Sequence, residues 1–388
     1  MLSKRIQTLS TSMTIAITAL ALELKAEGKD ILSFSAGEPD FDTPIEIKEA
    51  AIKAINEGKT KYTAVPGTPE LLNAVVGKLK RDNGLEYETN MIQTNNGAKH
   101  SLFNLFQALI DEGDEVIIPA PYWVTYPEVV KYSGGKPVII ETDDTTSFKI
   151  TPEKLSEAIT PKTKVLVITS PSNPTGSVYT KEELEALAEV LKDTNIIVFS
   201  DEMYEKLVYG GVKFTALASI SEDMFQRTVT INGLSKSAAM TGWRFGYLAT
   251  PNIELVKAMN KLQSQSTSNI SSITQAAAIA GLDGSIDKRV EEMRLVFESR
   301  RDRAYELINA IDGLSVIKPD GAFYLFINIK EVGSDSLKFA KELLAQEGVA
   351  VVPGIAFGAE GYIRLSFATD IDTIQEGIKR LENFIKRI

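Results

Sequence analysis

The run Ser235-Lys236-Ser237-Ala238-Ala239-Met240-Thr241-Gly242-Trp243-Arg244-Phe245-Gly246 places an amine, a hydroxyl and a guanidinium among small residues. A lysine becomes a nucleophile when partial burial or a nearby cation lowers its pKa, and a carbonyl compound can then condense with it. A bare Ser-Lys pair reads as a surface lysine. Here Arg244 offers a fork for a phosphate, Ser235 a hydroxyl, and Gly242 and Gly246 permit close backbone approach. Two other places carry cations in unusual company. Thr94-Asn95-Asn96-Gly97-Ala98-Lys99 opens a helical pattern, and small residues at a helix N-terminus leave amides free for an anion. Lys99, in the first turn, opposes the helix dipole unless an anion offsets it. Ile363-Arg364-Leu365-Ser366-Phe367 sets an arginine in an apolar strand, where a carboxylate held in a bidentate fork is the most economical partner.

These groups need a scaffold, and the pattern supplies one. From about residue 44 helical segments (Pro44-Asn56, Pro69-Asp82, Ala98-Leu109, Lys181-Leu191, Ile253-Leu262) alternate with short apolar runs (Glu115-Ile118, Pro137-Ile140, Lys164-Thr169, Ile196-Ser200, Thr228-Ile231). Such alternation predicts an α/β domain with a mainly parallel sheet sandwiched by helices, and the continuous apolar runs suit strands buried on both faces. Near Asp283 the pattern changes to a charged helix, Asp287 to Ala310. Strand-like runs at Ala322-Ile329 and Ala350-Val352 follow, with helices at Ser336-Gln346 and from Ile371 onward. This predicts a large domain over 45–285 and a smaller α+β domain built from 1–44 and 286–388. Lys4 and Arg5 precede the apolar stretch Met13 to Leu24, which reads as a helix with one apolar face rather than a signal peptide.

Composition narrows the chemistry. The 388 residues contain no cysteine and a single histidine, His100, which excludes disulfides and thiolate nucleophiles and argues against a Ser-His-Asp triad or a multi-histidine metal site. No metal is expected. Lys+Arg total 42 against 52 Asp+Glu, and the net charge of -10 opposes binding to nucleic acid or to an anionic membrane. A few placed cations can still bind acidic metabolites. No stretch approaches the roughly 20 apolar residues that span a bilayer. A dinucleotide-binding dehydrogenase is disfavoured, because no G-x-G-x-x-G follows a strand. A reducing cytoplasm fits the cysteine count.

The lysine block resembles that of the class I/II pyridoxal-phosphate-dependent aminotransferases of fold type I, in their aspartate aminotransferase-like branch, and further motifs follow in that family's order. Ser170-Pro171-Ser172-Asn173-Pro174-Thr175-Gly176 resembles the N-P-T-G loop, Asp201-Glu202-Met203-Tyr204 the D-x-x-Y pattern, and Ser35-Ala36-Gly37-Glu38-Pro39-Asp40 the G-E-P-D-F loop. The resemblance implies a seven-stranded sheet and pyridoxal 5'-phosphate on Lys236. It gives the phosphate to Gly97, Ala98, Ser235 and Arg244, the phenolic oxygen to Asn173 and Tyr204, the ring nitrogen to Asp201 and the ring face to Trp123. Tyr62 would reach the phosphate of a neighbouring subunit, making a homodimer with shared sites. The substrate α-carboxylate would meet Arg364, Gly37 and Asn173, and a distal carboxylate would meet Lys99, with Trp123 also at the substrate. The implied reaction moves the amino group of aspartate or glutamate to a 2-oxo acid such as 2-oxoglutarate, ping-pong through pyridoxamine phosphate. Prephenate, alanine, aromatic and kynurenine transamination are the alternatives within the family.

Overall fold

The computed structural model describes residues 2–388. Twelve strands form in chain order: β1 (Leu32–Ser33), β2 (Ile92–Asn96), β3 (Glu115–Ala120), β4 (Lys136–Glu141), β5 (Thr163–Thr169), β6 (Ile197–Asp201), β7 (Thr228–Gly233), β8 (Phe245–Ala249), β9 (Tyr324–Asn328), β10 (Val349–Ala350), β11 (Val352–Pro353) and β12 (Tyr362–Ser366). Seven of them make one sheet in the order β2-β8-β7-β6-β5-β3-β4. The pairs from β4 through β7 are parallel, and β8 is antiparallel to both β7 and β2, so β8 alone runs against the rest. The chain is therefore α/β with a mainly parallel sheet, as the alternating pattern predicts.

This directionality places the chemistry. In an open α/β sheet, ligands gather outside the carboxyl ends of the strands. β2 ends before Gly97, β5 before Asn173, β6 on Asp201 and β7 before Lys236. Because β8 is reversed, its beginning lies at that same edge and carries Arg244 there. The register Asn96↔Phe245 and Gly233↔Gly246 fixes the approach. Gly246 is required: a Cβ at this position would collide with the backbone of Gly97 and Ala98.

Helices form where apolar residues recur at helical spacing. The helix Ala98–Leu109 buries Leu102, Leu105 and Phe106. It starts from Gly97, whose φ of 78° lies in the region that favours glycine, and no side chain caps its first amides. The helix Asp287–Asn309 buries Met293, Phe297, Arg301, Ala304 and Ile308, a stripe on an otherwise charged surface. β11, β12 and β9 make an antiparallel sheet with β12 in the middle, and β1 pairs in parallel with β10. The expected run Ala350-Val352 is split into two short strands on different sheets, β10 and β11. One apolar cluster continues from Leu102 and Phe106 to Phe323, Phe367 and Leu381, so no water layer separates the two main sheets there. No helix among the described residues is long and apolar enough to cross a membrane.

Candidate active site

A cavity of about 600 Å³ opens at the carboxyl edge of the large sheet. Lys236 enters it just after β7, and its Nζ donates to the carbonyl of Gly37. The amine also lies 5.9 Å from the ring centres of Tyr204 and Phe323. Burial draws the ammonium down to about 8; Arg364 and Arg244 push the same way, while Glu38 and Asp201 oppose them. About a tenth of an amine with that pKa is unprotonated at pH 7, several hundredfold more than of an ordinary lysine, and the free amine is the form that acts as a nucleophile or a base.

Asp201 closes β6 with its side chain on the cavity. Tyr126 donates to its Oδ2 at 2.7 Å and the amide of Met203 to its Oδ1 at 3.2 Å. Burial raises its pKa, and those two hydrogen bonds with the charge of Lys236 resist that rise. Tyr204 is 5% exposed, and its hydroxyl is 2.8 Å from that of Tyr324.

Arg364, 2% exposed on the central strand of the small sheet, reaches the same cavity. Its two terminal nitrogens donate to Asn173 Oδ1 at 2.9 Å and to the Ser35 carbonyl at 2.8 Å, and its Nε has no partner. The rings of Tyr324 and Phe357 lie 4.3 and 4.9 Å from its Cζ. Every one of these neighbours is neutral. Burial accordingly pushes the guanidinium pKa down.

Arg244 and Lys99 line the same cavity, close enough that the charge of Arg244 acts on Lys99. The Arg244 guanidinium donates to the carbonyls of Thr241 (2.8 Å) and Asn96 (3.4 Å), and it packs so closely on Gly97 that a Cβ there would collide with it. Lys99 Nζ lies 5.0 Å from the Trp123 ring centre; burial and the charge of Arg244 both lower its pKa. Two cations beside an uncapped helix N-terminus make a strong attractor for anions.

The structure thus brings Gly37, Ala98, Lys99, Trp123, Asn173, Asp201, Tyr204, Ser235, Lys236, Arg244 and Arg364 to one cavity, with Gly97 behind Arg244. Tyr62 stands apart: it is 90% exposed and does not line the cavity of its own chain. Sequence reasoning missed Tyr126, Tyr324 and the Ser35 carbonyl. It also gave no role to the helix Met13–Ala26, which sets Thr14, Ile15, Thr18 and Leu22 along the cavity wall. A signal for Tyr126 existed, since it stands three residues after Trp123 at helical spacing.

The family model described as aminotransferase class I and II matches residues 29–381. The chain is 51% identical to the aspartate aminotransferase of Bacillus subtilis (strain 168), over 100% of this chain and 99% of that one. It is 47% identical to the aspartate/prephenate aminotransferase of Nitrosomonas europaea, over 99% of each. Among solved structures, the aspartate aminotransferase of Rhizobium meliloti superposes with a TM-score of 0.96 at 43% identity, covering 100% of this chain and 99% of its own. The Thermus thermophilus aspartate aminotransferase with maleate gives a TM-score of 0.95 at 43% identity, over 99% of each chain. The chain belongs to the class I and II aminotransferases, and is an enzyme of that family.

Proposed function

We propose that this enzyme holds pyridoxal 5'-phosphate on Lys236 and moves the amino group of aspartate, or of glutamate, to a 2-oxo acid such as 2-oxoglutarate. The observation that carries this reading is a charge imbalance. Arg364 and Lys99 line one cavity with Lys236, and no acid neutralises either of them among the described residues. A substrate with two carboxylates supplies both missing charges.

The donor set suits the cofactor. The open amides at Gly97 and Ala98, with Arg244 and Ser235, would hold its phosphate; Asp201 would face its ring nitrogen; Trp123 would cover its ring. When bound, the cofactor supplies an electron-accepting ring that stabilises the negative charge left on the substrate Cα. The chain's own groups do the rest. Arg364 fixes the α-carboxylate, with Asn173 and Gly37 at its side, so that one bond of Cα faces Lys236. Lys236 Nζ, freed when the substrate amine takes its place, would accept the Cα proton and deliver it on the cofactor side of the substrate nitrogen rather than back to Cα. Tyr204 and Asn173 would donate to the phenolic oxygen.

In the same reading Tyr62, exposed and outside its own cavity, serves the phosphate of a second copy in a homodimer. Residues 45–285 form the cofactor-holding domain, 1–44 with 286–388 the smaller one, and the enzyme works in the cytoplasm. Prephenate is the second reading, favoured by the full-length likeness to the Nitrosomonas europaea enzyme. Both are tested by giving single amino donors to the yellow holoenzyme in a stopped-flow instrument. Aspartate and glutamate bleach the visible band at least about tenfold faster than alanine, the scale of one charge-assisted hydrogen bond. Equal rates with alanine reject dicarboxylate specificity. Recovery of the band on adding prephenate as acceptor selects the bifunctional reading.

A further inference from the structure

The hydroxyl pair Tyr204–Tyr324 is closed on itself. Both side chains are buried, 5% and 0% exposed, and each hydroxyl finds only the other among the described residues, at 2.8 Å. Tyr324 begins β9 opposite Ser366 on the strand of Arg364, and the Arg364 guanidinium lies over its ring at 4.3 Å. Its Oη also borders Gly37, where a Cβ would come to 3.0 Å from it, and Gly37 carries the carbonyl that receives Lys236. One residue therefore touches the partner of the phenolic oxygen, the arginine of the carboxylate site and the loop that accepts the amine.

The two hydroxyls hold two protons. In the function proposed above, on which this inference rests, Tyr204 gives its proton to an acceptor in the cavity. The bond between the tyrosines can then run in one direction only, from Tyr324 to Tyr204. A donor that is itself receiving a hydrogen bond is a stronger donor, because the bonds polarise one another. A cation on the ring face strengthens the Tyr324 hydroxyl as the source. We propose that Tyr324 is a positioning residue for transamination, which aims the Tyr204 hydroxyl into the cavity, strengthens it as a donor and so lowers the proton affinity of the nitrogen carried by Lys236.

Other charges act on the same atoms: Arg364 and Asp201 on Tyr204, and Glu38, Arg364, Arg244 and Asp201 on Lys236. The test therefore leaves them in place and changes the hydroxyl alone. Holoenzyme is prepared with Tyr324→Phe, Tyr204→Phe and both together, and the visible absorbance is titrated with pH. Tyr324→Phe raises the midpoint by about half to one pH unit, the scale of one hydrogen bond. Tyr204→Phe raises it further, and the double variant matches Tyr204→Phe alone, because Tyr324 acts only through Tyr204. The kcat for aspartate falls in Tyr324→Phe while KM stays unchanged. Replacing Tyr324 by 3-fluorotyrosine, a stronger donor of nearly the same shape, moves the midpoint downward and keeps the test independent of packing. A wild-type midpoint in Tyr324→Phe, or additive shifts in the double variant, overturns the proposal. A wild-type chain that forms no visible band with pyridoxal phosphate instead overturns the role of Lys236, and this inference with it.

Discussion

Arg301 and Arg364 are buried almost equally, 3% and 2% exposed, and the molecule treats them in opposite ways. Arg301 lies on the long helix Asp287–Asn309. Its Nε donates to Asp302 at 2.8 Å, its other nitrogens reach the Pro319 carbonyl at 3.0 Å and Glu298 at 3.4 Å, and the Tyr209 ring covers it at 4.9 Å. Acids of its own helix cancel its charge. Arg364 has two carbonyl-type acceptors, two aromatic faces, an Nε without a partner and no acid. A buried cation left uncompensated costs several kcal/mol unless something outside the chain neutralises it. Arg301 is thus finished as folded, while Arg364 has no acid to pair with among the described residues and, in the function proposed above, is completed by a substrate carboxylate. The contrast separates charges that hold the fold from charges kept for a substrate.

Exchanging each arginine for a neutral side chain of similar volume tests that contrast. Arg364→Met lowers kcat/KM for aspartate by about a thousandfold or more, since two charge-assisted hydrogen bonds are lost. Urea unfolding shows its stability unchanged or raised, because an uncompensated charge has gone. A large loss of stability would make Arg364 a structural residue. Arg301→Met behaves in reverse: unfolding free energy falls by about 1–3 kcal/mol, because the buried Pro319 carbonyl loses its donor and the Tyr209 ring its cation while Glu298 keeps Arg294 and Asp302 keeps Lys318, and KM for aspartate is unchanged. If its activity fell as far as that of Arg364→Met, the two regions would not be distinct. Lys99→Ala gives the smallest effect. It reduces kcat/KM for aspartate about tenfold to a hundredfold and leaves alanine turnover as it was, with stability changed by no more than about 0.5 kcal/mol because the ammonium makes no ion pair among the described residues. Parallel losses for both donors would remove Lys99 from the distal carboxylate.

Much of this arrangement was legible in the sequence because it depends on local chemistry. The strands β3 to β7 announce themselves as apolar runs. Arg364 is conspicuous as a cation inside one such run, and the Gly97-Ala98-Lys99 turn reads as an anion site from helix geometry alone. The strands β2 and β8 were not read. β2 carries Gln93, Thr94, Asn95 and Asn96, a polar string that looks like a loop until it is seen buried. There Gln263 takes up Asn95 at 2.6 Å and Asn104 at 3.2 Å, and Ser101 donates to Asn95 at 2.8 Å. Paired polar groups can be buried cheaply, but the partner 168 residues away leaves no trace in the local pattern. Tyr324 was hidden for the opposite reason, since an aromatic in an apolar strand is ordinarily core. Only the approach of Tyr204 and Arg364 in space gives its hydroxyl a task. The helix Met13–Ala26 was read as a helix, yet its seat on the cavity wall depends on tertiary packing that its own residues do not encode.

In the proposed function Lys236 is the amine that captures the cofactor, and its own titration reads out that capture. The cofactor-free protein is mixed with pyridoxal phosphate at a series of pH values, reduced with borohydride, and mapped by peptide mass. One modified lysine is expected, Lys236, with a capture rate that rises through a midpoint of about 8, because burial holds the ammonium down to that value and the protonated form cannot attack. Labelling spread over surface lysines, or a rate at Lys236 that rises only in the ordinary lysine range, would contradict it.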